Sequence, residues 1–193
     1  MISAIILAAG QSKRMLQPKM LLPWGDLTVI EHVVATFLNA GLKDILIVTG
    51  AAQEQVENAV DRYSVRKIHN RDYAAGEMLS SLQCGIREMS ELAQAVLIGL
   101  GDQPQIQESS IRAICDGYQA SRSSLIVPSF QRKRGHPWLV ARPLWNEILA
   151  LSPPETPRDF LNQHSDKIEY VNLSTPTILA DLDTPEDYEK SHP

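Results

Sequence analysis

Apolar residues recur along this chain with two alternating periods. Residues 3–7 form a short, continuous apolar run that ends in Ala8-Ala9-Gly10, the pattern of a strand buried on both faces and followed by a loop. Between residues 28 and 40 the spacing turns helical, with Val29, Ile30, Val33, Val34, Phe37 and Leu38 on one repeat. Thr28 and Glu31 stand at capping-box spacing before this helix, and Gly41 follows it. The β-rich run 45–48, a polar helix over 53–63, a strand over 65–69 and a helix over about 80–89 continue the alternation. Next comes an apolar strand over 95–98, which runs into Gly99-Leu100-Gly101-Asp102. A helix over 108–120 and a strand over 125–127 keep the rhythm, and a hairpin holding Arg132, Lys133 and Arg134 returns through His136 to Val140. The remainder reads as a helix over 143–151, a stiff surface connector over 152–157, short strands at 170–171 and 178–179, and a last helix over 185–190. Strands alternating with helices at this pitch predict an α/β fold on a largely parallel, doubly wound sheet.

Composition narrows the class. The chain has 193 residues, 44% of them hydrophobic and 21% charged, close to globular averages and far from a disordered composition. One domain over residues 1–193 is expected. With 18 basic and 23 acidic side chains the formal net charge is −5, so nucleic acid is excluded as an expected partner, since neutralising phosphates needs a basic face. Cys84 and Cys115 have neither redox nor zinc spacing, and two reduced thiols in the cytoplasm are the expectation. No basic leader precedes the first apolar run, and no stretch approaches the roughly 20 apolar residues of a membrane span. A cytoplasmic protein without a membrane partner is therefore predicted.

The chemistry concentrates in residues 7–19, directly after the first strand, where open α/β sheets bind ligands. Ala8, Ala9 and Gly10 let backbone amides approach an anion, and Lys13, Arg14 and Lys19 put three cations in one loop of an acidic protein. The loop closes with no Gly-Lys-Ser/Thr and lacks the three glycines of the dinucleotide fingerprint. On these residues alone, a phosphate-binding loop and a solvated surface loop both stand.

This segment resembles the nucleotidyltransferases that share Leu-Ala-Ala-Gly-x-Ser-x-Arg-Met-Gly-x-x-Lys, and among them the MocA-like molybdenum cofactor cytidylyltransferases. The resemblance spans nearly the whole chain through an ordered series: Gln17 to Trp24, Ile47 to Gly50, His69-Asn70, Tyr73-Ala74 with Gly76, Ser80-Ser81-Leu82, Gly101 to Pro104, Gly135-His136-Pro137 and Leu182 to Tyr188. It implies a Rossmann-like sheet with helices on both faces, of the nucleotide-diphospho-sugar transferase type. It further implies transfer of CMP from CTP to the terminal phosphate of a molybdopterin-type cofactor, with Mg²⁺ and release of pyrophosphate, and a client molybdoenzyme as a further partner.

Carried over position by position, the resemblance implies a nucleotide site of Leu7, Ala8, Ala9, Gly10, Lys19, Gly76, Ser80, Ser81 and Asp102. Arg14, Lys19 and Asp102 would be catalytic, Asp102 and Asp183 the metal ligands with Asp181 as a rival, and His136 and Arg158 the acceptor contacts. Arg132, Lys133 and Arg134 fit either the acceptor's anionic groups or a charged hairpin tip. Leu16 departs from the family's glycine, which leaves the loop's path open. Three other readings remain: a guanylyltransferase using GTP or a sugar-1-phosphate nucleotidyltransferase, a non-catalytic chaperone for the molybdenum cofactor, and a redox enzyme with a nicotinamide or flavin on the same scaffold.

Overall fold

The computed structural model describes residues 1–15, 17–75 and 77–193. Strand β1 (Ile2–Ala8) is followed by a long connecting segment, the short strands β2 (Pro23–Trp24) and β3 (Leu27–Thr28), and helix α1 (Val29–Asn39). Then come β4 (Ile45–Thr49), α2 (Gln53–Ala59), β5 (Arg66–His69), α3 (Glu77–Arg87), β6 (Ala95–Leu100) and α4 (Glu108–Ser121). The second half contains β7 (Leu125–Phe130), β8 (Lys133–Arg134), β9 (Trp138–Ala141), α5 (Trp145–Ala150), α6 (Pro157–Gln163), β10 (Ile168–Asn172) and α7 (Pro185–Ser191).

The main sheet runs β10-β7-β9-β6-β1-β4-β5, with β8 paired to β7 beside it. β1 is parallel to both β4 and β6, and β9 is antiparallel to both β6 and β7. The sheet is therefore mostly parallel, as expected, with two reversed strands, the short β8 and β9, and the return through β9 places the 131–137 turn at the carboxyl edge. Helices cover both faces because side chains alternate along each strand. Ala4, Ile6 and Ala8 of β1 pack with Val33, Phe37 and Ile114 on one face, while Ile5 and Leu7 pack with Leu82, Ile86 and Ile148 on the other.

Local chemistry explains most element boundaries. Thr28 and Glu31 form the predicted capping box of α1. The helix expected over 53–63 stops at Ala59 and gives way to turns. Residues 178–179 are not a strand: Pro176–Leu179 forms a 3₁₀ turn, with Pro176 at its start and the Thr175 side chain accepting from the Thr177 amide. The 152–157 stretch contains more than a connector, since Thr156 and Asp159 make a capping box that starts α6 at Pro157. Cys84 and Cys115 are both free. Among the described residues no helix is long and apolar enough to cross a membrane.

Candidate active site

A cavity of about 440 Å³ opens at the carboxyl ends of β1 and β6. Leu7, Ala9, Gly10, Lys13, Arg14 and Lys19 line one side, with Tyr73, Ser81, Asp102 and Asp183 on others. The loop that forms its floor is braced internally: Ser12, at φ 51°, accepts through its carbonyl from the Met15 amide at 3.0 Å and through Oγ from the Lys19 amide at 3.1 Å. Gly50 lets β4 close behind this loop, because a Cβ there would stand 2.4 Å from the Ala9 carbonyl oxygen.

The ionic centre is a lysine between two carboxylates. Lys19 is buried, and its ammonium pairs with Asp102 and, at 3.3 Å, with Asp183. Arg14 adds a 3.0 Å pair to the other oxygen of Asp183. Burial alone pulls the Lys19 pKa down, but the Asp102 and Asp183 carboxylates outweigh it and hold the ammonium above the ordinary lysine value. Asp181 sits close by and takes a hydrogen bond from Gln103 Nε2; burial, then the Asp102 charge, pushes its carboxyl above the usual range. Asp183 is not the cap of the last helix, a role taken by Thr184 with Asp187. A backbone bond from the Leu182 amide to the Asp102 carbonyl, 3.0 Å, ties the two carboxylate-bearing segments together.

Two predicted nucleotide-site residues do not reach this cavity. Ala8 points to the opposite face of β1 from Leu7 and Ala9, into the core with Ile6. Ser80 turns to the 70–72 segment, where its Oγ accepts from Asn70 Nδ2 at 2.9 Å and donates to the Glu77 carbonyl. Gly76 and Leu16 lie outside the described residues. Sequence reasoning missed three contributors. Ser12 braces the loop, buried Asn70 holds both Ser80 and Ser81, and Tyr73 lines the wall. Their polar side chains within the matched segments were the available signal.

A second cavity of about 970 Å³ adjoins the first, and Glu77 and Met78 line both. It gathers His136, Arg158, Arg132, Lys133 and Arg134, with the 153–157 stretch as one wall. Burial takes the His136 imidazole down to about 4, so it stands neutral near pH 7. Gly135 is required here, since a Cβ would meet the Ile178 carbonyl oxygen at 2.4 Å; that same carbonyl accepts from the His136 amide at 3.0 Å.

The sequence pattern of the MobA-like NTP transferase domain matches residues 4–168. The chain belongs to this family. As a MobA-like NTP transferase it is a nucleotidyltransferase. It is 28% identical to the molybdenum cofactor cytidylyltransferase of Escherichia coli over 97% of this chain and 93% of that one. A nicotine blue oxidoreductase of Paenarthrobacter nicotinovorans is also 28% identical, over 96% and 93% of the two chains. A Mycobacterium tuberculosis protein solved in complex with manganese shares 25% identity at a TM-score of 0.74, covering 98% of this chain and 96% of that one. The MobA-like fold thus joins a mostly parallel sheet to helices on both faces, as the alternation of strands and helices indicated.

Among the described residues no three His, Cys, Asp or Glu side chains group as a metal site. The donor chemistry still fits a hard cation: the Asp102 and Asp183 carboxylates already converge on one positive charge, that of Lys19. Magnesium is ordinarily held by one or two carboxylates, with phosphate oxygens and waters completing its shell.

Proposed function

We propose that this nucleotidyltransferase moves CMP from CTP to the terminal phosphate of a molybdopterin-type acceptor, releasing pyrophosphate and using Mg²⁺. The observation that carries the reading is the pair of adjoining cavities that meet at Glu77 and Met78, one with a cationic loop and two carboxylates, the other large and basic. An acceptor phosphate is already anionic near neutral pH, so it attacks the α-phosphorus of the triphosphate without a general base. The new bond forms from that oxygen to the α-phosphorus, and the bond to the β-phosphate bridging oxygen breaks, its electron pair leaving with pyrophosphate.

The protein's work is positioning and charge stabilisation. Backbone amides around Ala9 and Gly10 cradle the phosphates, and Lys19 and Arg14 face the charge that grows on the leaving group. Asp102 and Asp183 are the residues to hold Mg²⁺, which when bound neutralises triphosphate charge. Ser81 and Tyr73 border the nucleotide, and His136 and Arg158 the acceptor. An oxidoreductase name on one relative raises a redox reading, but hydride transfer has no use for a lysine shared by two carboxylates beside a phosphate loop. The test is pyrophosphate release from CTP and from GTP, with and without molybdenum cofactor. Release dependent on CTP and cofactor is expected; release with GTP alone as donor moves the protein to the guanylyl branch, and none with either overturns the reading.

A further inference from the structure

We infer that Arg134 grips a second anionic or carbonyl group of the acceptor, at the end remote from the phosphate that reacts. The inference rests on the acceptor reading above and adds to it a specificity residue and a requirement on the substrate.

Three cations come from the 131–137 turn, and they are not equivalent. Arg132 and Lys133 are exposed, whereas Arg134 is half-buried. Arg134 is fixed from two sides: its Nε donates to the Tyr170 hydroxyl at 2.9 Å and its Nη1 to Asn162 Oδ1 at 2.8 Å. The guanidinium carbon also lies 5.7 Å from the centre of the Tyr170 ring, within cation–π range. Tyr170 belongs to β10 and Asn162 to α6, so three separate elements set the direction of one side chain.

A guanidinium carries five donors in a planar fork. The brace uses the Nε donor and one on Nη1, which leaves three for a ligand, the second on Nη1 and both on Nη2, so that the two terminal nitrogens can still donate side by side. Ordering a long side chain normally weakens binding; here that ordering already belongs to the fold. A planar, pre-aimed fork is suited to a two-point acceptor such as an oxyanion or a ring carbonyl beside a ring nitrogen.

Which part of the substrate it touches follows from the two cavities. Arg134 lines the larger cavity and not the smaller one, where Lys19 and Asp102 lie. The reacting phosphate has to reach the α-phosphorus of a triphosphate bound in the smaller cavity, so the group at Arg134 is a different one. Tyr170 acts through Arg134 and is a positioning residue.

The test uses the full chain and molybdopterin as the probe, titrated by its own fluorescence without nucleotide or metal, alongside steady-state rates. Arg134→Ala is expected to weaken molybdopterin binding by roughly tenfold to hundredfold, the range for losing a charged hydrogen bond. The acceptor KM should rise in parallel while the CTP KM stays put. Arg134→Lys keeps the charge and loses the fork, and should recover only part of the loss. Tyr170→Phe keeps the ring and removes the hydroxyl; a smaller rise in acceptor KM at an unchanged melting temperature is expected. Arg134→Ala binding molybdopterin as the wild type does would overturn this inference and leave the acceptor reading standing. An equal loss of CTP affinity would mark a general disturbance and likewise overturn it. Wild-type protein that binds no molybdopterin would sink both.

Discussion

On the proposed reading, Lys19 is one side chain that serves both fold and chemistry. Its ammonium is nearly enclosed and is shared by Asp102 and Asp183, with Asp181 close by. Lys19→Ala should therefore lower turnover by about 10²-fold or more, as for other preorganised donors, and also destabilise the protein by roughly 1–3 kcal/mol through the charges left unpaired. Added Mg²⁺ should raise the variant's melting temperature more than the wild type's, because the cation binds the folded state at the carboxylates that lost their partner. Paired thermal melts with and without Mg²⁺ measure this, and equal shifts would remove Asp102 and Asp183 from the metal site. His136 gives a pH prediction. Its unfolded imidazole titrates near 6.5 and its folded one at about 4, so between these values the unfolded chain binds more protons. The stability tied to His136 is thus complete above about pH 6.5 and drains as the pH falls toward 4. In His136→Gln this component of the slope should vanish, which urea midpoints at pH 7 and pH 4.5 will read.

At the scale of elements, the short helix α7 matters out of proportion to its length. Thr184 and Asp187 cap it, and the Tyr188 hydroxyl donates to the Pro23 carbonyl at 2.7 Å, beside the cluster of Met15, Leu22, Trp24 and Leu182. That cluster joins the loop carrying Lys19 to the segment carrying Asp183. Thr184→Ala should cost about 1 kcal/mol, the usual loss of a helix cap, and raise the Mg²⁺ concentration for half-maximal rate several-fold, while Thr184→Ser restores both. A drop in stability with an unmoved Mg²⁺ requirement would mean that the cap does not position Asp183. What was legible in the sequence was what local chemistry decides. The α1 capping box, the buried run of β1 and the cations after it need only neighbours within a few residues. Helix α6 was hidden because its Thr156–Asp159 cap lies inside a proline-rich stretch whose composition alone signals a connector. The 176–179 turn was missed because Ile178 and Leu179 carry strand propensity, while Pro176 and the Thr175 cap decide the backbone. Side-chain direction was harder still: Ala8 and Ser80 belong to the matched motifs, yet the strand period and the Asn70 hydrogen bond turn them elsewhere.

Across the whole molecule, the two cavities depend on different close backbone approaches, so they should fail separately. Gly50→Ala drives a methyl group toward the Ala9 carbonyl, and Gly135→Ala drives one toward the Ile178 carbonyl. Each overpacks a tight contact, typically at a cost of about 1–3 kcal/mol. Gly50→Ala should raise the KM for CTP with little change for the acceptor, and Gly135→Ala the reverse; crossed KM measurements on both variants check this, and matching losses would show that the sites are not separable. The reversed strand β9 gives this separation a longer reach. The chain turns back at the end of β7 through the two-residue strand β8 and returns through β9 at the same edge, so residues 131–137 form an excursion clamped at both ends. Such an excursion can be rewritten in length and content while Lys19 and Asp102, in the segments that follow β1 and β6, keep their places. On the proposed reading, Lys19 and Asp102 of the donor site and the basic turn of the acceptor site are inherited on separate stretches of chain, and a descendant can retune its acceptor through that short turn while the old chemistry stays.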